Sequence, residues 1–234
     1  RALSNQGTAL EFLDDDFKSD PTIVRLAVMN DGIALKSAAP HFQQDRAIVK
    51  QAIARNGFLF PYLDKRFKQD KEIALLAIDF EWEMLREIDE SLLNDRDIIL
   101  LALEKNARTL NFASESLKND EAIVLASMSG YESESVIFDK KWTTNPDFMR
   151  KAIKHNPANF AFVDTTLKAD RNFVQSAIDL GAAIDEGVSD ELKQDRELVL
   201  ASVKNNGSSL EYADESFMED KDIVLEAIKQ TGEA

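Results

Sequence analysis

The chain contains no cysteine and only two histidines among its 234 residues. Disulfides, thiolate metal sites and cysteine nucleophiles are therefore excluded. His41 and His155 occupy unrelated positions in the sequence, and no zinc-protease, P-loop or nucleophile-elbow motif is present. We therefore predict a protein that is not an enzyme, with no catalytic residue, no metal site and no cofactor.

Long apolar runs and a surplus of positive charge are also missing. No run reaches the ~18 residues of a membrane span, and 43 acidic residues against 28 basic ones give a formal net charge of −15. Such a surface repels phosphate groups, so we expect neither nucleic acid nor membrane partners. The charge suits basic protein or peptide partners, or simply solubility. We expect a cytoplasmic protein, or an effector delivered into a host cell.

What the chain does contain is a repeat with a fixed period of 25 residues. An aspartate, once replaced by asparagine, marks each period, and no residue is gained or lost between the first marker and the last. A fixed period in this range is typical of solenoids, in which small units bury a core only by stacking. The markers are Asp20, Asp45, Asp70, Asp95, Asp120, Asn145, Asp170, Asp195 and Asp220.

Each marker is followed by the pattern of an amphipathic α-helix. Positions 3, 4, 7 and 8 after the marker are apolar or small, which is the spacing of one helical face. The marker itself is expected to be the N-cap. Position 7 is always Ala or Ser, which predicts close approach of a neighbouring backbone. Position 12 is often glycine, as in Gly32 and Gly57, which predicts a left-handed helix C-cap.

The rest of each repeat predicts one or two short helical turns. A cap-like residue lies six before the next marker, as in Asp64, and a large apolar residue lies three before it, as in Phe67. We therefore predict an all-α fold, an elongated α-solenoid over residues 1–234. It has about nine repeats, each with one α-helix and short helical or 3₁₀ turns. Arg1 falls in the middle of a repeat, so we expect the N-terminal repeat to be truncated.

A second period of 50 residues carries the candidate binding residues. Aromatic side chains recur at this spacing, and we call them the aromatic series. They either pack between repeats or lie partly exposed, where they could anchor a partner segment. Trp82, which replaces a glycine, is either a packing wedge or an exposed anchor. The aromatic series comprises Phe12, Tyr62, Phe112, Phe162 and Tyr212.

Two stretches carry a resemblance to a known family. The sequences NNGSSLEYADESF at 205–217 and LKNDEAIVLA at 117–126 resemble the repeat family catalogued as domain of unknown function 4116. The resemblance covers nearly the whole chain, and it implies tandem helical repeats paired into units of about 50 residues. It implies no activity, cofactor or site residue. The chain departs from the pattern at 129–145 and 181–190.

The function expected from these observations is a non-catalytic, acidic scaffold for protein–protein interaction. Two alternatives stay open. The chain could be a non-catalytic module of a larger enzyme or secreted bacterial effector whose active site lies elsewhere. It could also be an acidic mimic of nucleic acid that occupies a DNA-binding protein.

Overall fold

The computed structural model describes residues 7–130 and 133–231, and within those ranges every regular element is helical. Nine longer α-helices follow the nine markers in these ranges, and none of them is both long and apolar enough to span a bilayer. They are α1 (Pro21–Asn30), α2 (Arg46–Arg55), α3 (Lys71–Phe80), α4 (Arg96–Lys105), α5 (Glu121–Met128), α6 (Pro146–His155), α7 (Arg171–Asp179), α8 (Arg196–Asn205) and α9 (Lys221–Thr231).

Two kinds of short helix connect the longer ones, which confirms an all-α chain of tandem helical repeats. Most repeats continue into a 3₁₀ helix and then a single α-turn. The 3₁₀ helices are Gly7–Phe12, Gly32–Ser37, Gly57–Tyr62, Trp82–Arg86, Glu90–Leu92, Ala107–Phe112, Ser133–Ser135, Pro157–Phe162, Gly207–Tyr212 and Glu215–Glu219. The α-turns are Asp15–Lys18, Pro40–Gln43, Lys65–Lys68, Glu115–Lys118, Lys140–Thr143, Thr165–Lys168 and Asp190–Lys193.

The markers cap the longer helices as the sequence predicts. Asp120 Oδ1 accepts hydrogen bonds from the backbone N–H groups of Ala122 and Ile123, at 3.0 and 3.2 Å. Asn145 Oδ1 makes the equivalent bonds at the start of α6. An N-cap oxygen satisfies donors that the first helical turn leaves unpaired, which stabilises a helix by about 1 kcal/mol. The shared geometry explains why asparagine can replace aspartate here.

The apolar face of each longer helix forms the core. Positions 3, 4, 7 and 8 are buried in α4, where Ile98, Ile99, Ala102 and Leu103 have almost no exposed surface. In α5 the small residue is Ser127, whose buried hydroxyl donates to the Val124 carbonyl at 2.7 Å. That bond satisfies the polar group without a partner outside the helix. Position 7 is therefore small because it is enclosed.

The glycines at position 12 are not left-handed caps, so that prediction is wrong. Among the described glycines only Gly181 has a positive φ, of 97°. Gly32 and Gly57 instead begin 3₁₀ helices after an extended residue. A Cβ on Gly32 would lie 1.9 Å from the Ala52 carbonyl oxygen. Gly32 is therefore needed for close packing against α2. Gly232 lies outside the described residues.

The chain divides into two compact units, the N-terminal unit (Arg1–Val136) and the C-terminal unit (Ile137–Ala234). Within each unit every longer helix packs against the next one along the chain. The division falls inside the segment 129–145, where the sequence departs from its repeat pattern. A single elongated solenoid over 1–234 stays a prediction.

Candidate interaction surface

Five of the 3₁₀ helices of the N-terminal unit form a continuous edge. Each packs against the next, from Gly7–Phe12 through Gly32–Ser37, Gly57–Tyr62 and Trp82–Arg86 to Ala107–Phe112. We call this surface the 3₁₀ edge. A polar side chain caps the start of three of them, Gly32–Ser37, Gly57–Tyr62 and Ala107–Phe112. For example, Asn56 Oδ1 accepts from Phe58 N at 3.1 Å.

Each member of the aromatic series is the last residue of a 3₁₀ helix. In the N-terminal unit, Phe12 is 84% exposed, Tyr62 is 67% exposed and Phe112 is half-buried. In the C-terminal unit, Phe162 is half-buried and Tyr212 is 37% exposed. The series therefore lies at the surface to different degrees, and none of its members is a fully buried core residue.

The contrast between Phe60 and Tyr62 shows how one short helix serves both core and surface. Phe60 is fully buried, while Tyr62 lies two residues later in the same 3₁₀ helix. A 3₁₀ helix turns through about 120° per residue, so these side chains lie on different faces. The sequence reflects this difference. The position of Phe60 is large and apolar in most repeats, whereas the position of Tyr62 varies in size and polarity.

Basic side chains of neighbouring 3₁₀ helices cover two rings of the aromatic series. The Lys36 ammonium lies 3.7 Å from the centre of the Tyr62 ring, and the Arg86 guanidinium lies 5.5 Å from that of Phe112. Cations at these distances are attracted to the ring face. A groove of about 300 Å³ opens beside Lys36 and Tyr62, with Gln43 and Asp64 in its wall. The 3₁₀ edge thus combines aromatic, cationic and amide groups.

Trp82 begins its own 3₁₀ helix and is half-buried. The Arg86 guanidinium lies 6.0 Å from its ring. The structure therefore places Trp82 on the 3₁₀ edge, next to a side chain that also covers Phe112. It is partly packed and partly accessible, which is between the two roles that the sequence leaves open.

A ladder of ion pairs joins the N-caps of successive helices in each unit. The residue after one marker contacts the next marker: Lys71 lies 2.9 Å from Asp95, and Arg171 lies 2.7 Å from Asp195. The Arg46 guanidinium beside Asp70 holds the pKa of that carboxyl below its ordinary value. Because the basic partners are about half exposed to solvent, each pair stabilises the fold by only about 0–1 kcal/mol.

The marker carboxylates are committed to caps and ion pairs, which leaves them little capacity for other ligands. Among residues 7–130 and 133–231, no three acidic or histidine side chains are placed to hold a metal ion together. His155 ends α6, and His41 packs against Phe42 with 4.0 Å between the ring centres.

One exposed aromatic pair was not predicted from the sequence. Phe58 and Phe80 pack edge to face with 5.3 Å between the ring centres, and both are about half exposed. Phe80 is the last residue of α3, and Phe58 lies in the 3₁₀ helix after α2. The two positions show no aromatic periodicity, so only the structure brings them together.

Helical units that bury their cores only against their neighbours define a tandem helical-repeat protein. A family model described as a domain of unknown function (DUF4116) matches residues 1–43, 45–93, 78–118, 95–133, 145–181, 186–218 and 195–234. The chain belongs to this family. No curated protein and no solved structure matches it.

Proposed function

We propose that this chain is a non-catalytic scaffold that binds protein segments through the 3₁₀ edge of its N-terminal unit. The observation that carries the proposal is the exposure of Phe12 and Tyr62 at positions fixed by the 50-residue period. Covering a large exposed aromatic side chain removes apolar surface from water, which favours binding, and such side chains are common anchors in interfaces.

The composition of the edge supports a peptide ligand. Tyr62 offers an apolar ring, Lys36 offers a cation, and Gln43 and Asp64 offer hydrogen-bonding groups beside a groove of about 300 Å³. Aromatic residues and a few convergent polar groups are typical of surfaces that recognise extended segments. Because the rings are held on short, packed helices, little conformational entropy would be lost on binding.

A displayed library of random peptides, selected on the immobilised chain, tests this proposal. We expect the selected peptides to bind the chain and to lose about tenfold in affinity for Tyr62→Ala. Phe58→Ala is the matched control, because Phe58 is a similarly exposed aromatic residue in the same 3₁₀ helix that contacts Phe80 instead.

Two results would contradict the proposal. One is the failure of any peptide to be enriched. The other is an equal loss of affinity for Tyr62→Ala and Phe58→Ala in folded variants, which would show that binding does not depend specifically on the aromatic series. Thermal melting of each variant establishes that the variant is folded.

A further inference from the structure

The two tyrosines of the aromatic series have opposite electrostatic surroundings. Tyr62 in the N-terminal unit has the Lys36 ammonium 3.7 Å from its ring centre. Tyr212 lies six periods later at the same position of the repeat. Among the described residues, no cation is found over the Tyr212 ring. Among the residues that the structure describes, a cation therefore covers the Tyr62 ring and not the Tyr212 ring.

Glu186 occupies the position that corresponds to Lys36. Gln43 Nε2 donates to the Lys36 carbonyl at 3.2 Å, and Lys193 Nζ donates to the Glu186 carbonyl at 2.8 Å. Gln43 and Lys193 are themselves six periods apart. The two carbonyls are therefore braced in the same way, although a loop replaces the 3₁₀ helix around Glu186. The C-terminal unit therefore has the acidic Glu186 at the position where the N-terminal unit has the basic Lys36.

Other acidic groups surround the Tyr212 hydroxyl. It donates a hydrogen bond to the Glu211 carboxylate, which raises the pKa of Tyr212, and the charges of Glu186 and Asp185 raise it further. Lys168 Nζ lies 2.6 Å from Asp185 Oδ2, and Lys193 Nζ lies 2.8 Å from the Glu186 carbonyl. The three carboxylates therefore outnumber these two ammonium groups and keep a net negative charge. Glu186 and Glu211 are exposed to solvent. The surroundings of the ring therefore favour a positive charge.

An apolar groove of about 340 Å³ leads away from Tyr212. Its wall includes Pro157, Phe160, Ala182, Ile184 and Asp185. Most of these groups are hydrocarbon, so the groove suits an aliphatic side chain, while the acids near Tyr212 suit a neighbouring cation. The combination matches a segment in which a lysine or arginine stands beside apolar residues.

We propose that Tyr212 receives a lysine or arginine side chain from a basic peptide segment, which takes the place that Lys36 has on Tyr62. The groove beside Tyr212 holds the apolar neighbour of that side chain. Glu186 and Glu211 attract the cation, and the ring face binds it. This inference rests on the proposed scaffold function and adds a second binding surface, in the C-terminal unit, together with its class of partner.

Fluorescence anisotropy with a labelled peptide that carries two lysines among leucine, alanine and proline residues tests the inference. The same peptide with glutamate in place of lysine is the ligand control. We expect the complete chain to bind the lysine peptide and Glu186→Lys to weaken that binding about tenfold, because the new ammonium competes for the ring. Glu104→Lys, at an exposed position of α4, makes the same change in net charge and should alter affinity less than about twofold.

Three outcomes would overturn the inference: no binding of the lysine peptide, equal binding of the lysine and glutamate peptides, or equal losses for Glu186→Lys and Glu104→Lys. Melting temperatures of both variants verify the fold, and Glu186→Gln, which removes the acid without adding a base, should give an intermediate affinity. Tyr62→Ala tests the scaffold function separately. If Tyr62→Ala weakens the binding of display-selected peptides while Glu186→Lys leaves the affinity for the lysine peptide unchanged, only this inference is removed.

Discussion

The N-terminal and C-terminal units use one repeat to build two different surfaces. In the N-terminal unit, Lys36 and Arg86 lie over aromatic rings of the 3₁₀ edge. In the C-terminal unit, Glu186 and Glu211 lie near Tyr212, and Phe162 packs edge to face on Phe138. The buried positions of the repeat are alike in both units. The repeat therefore determines the core and the caps, while residues at its variable positions give the two units different surfaces.

The largest expected effect is a loss of stability when a side chain on the buried face of a 3₁₀ helix is truncated, compared with one on its exposed face. Phe60→Ala should reduce the free energy of unfolding by about 3–5 kcal/mol, because the ring is fully buried. Tyr62→Ala should cost less than about 1 kcal/mol, since it removes an exposed ring and one cation contact. Chemical denaturation measures both changes. Similar losses for the two variants would show that Tyr62 belongs to the core.

Glycines in the two units should respond differently to one added methyl group. Gly32→Ala places a Cβ against the Ala52 backbone and should cost about 3 kcal/mol. At Gly187 the nearest atoms belong to the flexible Lys168 side chain, at 3.1 Å. Gly187→Ala should therefore cost less than about 1 kcal/mol, because that side chain can move. Thermal melting distinguishes them, and a larger loss at Gly187 would contradict this packing account.

The caps are expected to contribute alike in both units. Asp120→Ala should destabilise the chain by about 1 kcal/mol, the usual effect of losing an N-cap. Asp120→Asn keeps the cap and loses only an exposed ion pair with Arg96, so its cost should stay below about 0.5 kcal/mol. Chemical denaturation of both variants tests this order. If asparagine were as harmful as alanine, the charge of the marker would matter more than its capping bonds.

The smallest expected effect is on how the melting temperature depends on pH. Hydrogen bonds from Arg46, Arg96 and Arg196 lower the pKa values of Asp70, Asp120 and Asp220. A carboxyl group whose pKa is lower in the folded state stabilises the fold above its unfolded pKa of about 3.9. That contribution is lost as the pH falls through the folded value. Melting temperatures should therefore fall below about pH 4, and less steeply in Asp70→Asn. If the melting temperature of Asp70→Asn fell as steeply with pH as that of the original chain, Asp70 would not contribute to the pH dependence.

Much of the fold could be predicted because its determinants repeat. The marker at Asp120 and the small residue at Ala102 recur at fixed spacing, so periodicity revealed the cap and the buried face. The role of Gly32 could not be predicted in this way. Its close neighbour, the Ala52 carbonyl, belongs to the next helix, and only three-dimensional packing shows the contact.

The residues of the candidate site could be predicted from the sequence, but the charged groups that lie around them could not. The 50-residue period identified Phe12 and Tyr62, and left open whether they are buried. Nothing in the spacing shows that Lys36 covers one tyrosine, or that Glu186 takes the corresponding place near another. Those contacts depend on side chains whose identity changes from repeat to repeat.

A reciprocal charge exchange tests the central claim. According to this claim, residues at the variable positions of the repeat determine what the surfaces around Tyr62 and Tyr212 bind. The double variant Lys36→Glu plus Glu186→Lys keeps the net charge and exchanges the surroundings of Tyr62 and Tyr212. A benzophenone derivative of the lysine peptide, cross-linked by light and mapped by mass spectrometry, reports where the peptide binds. We expect cross-links at Gly207–Tyr212 in the original chain and at Gly57–Tyr62 in the double variant. Cross-links that stay at the same segment in both proteins would contradict the claim.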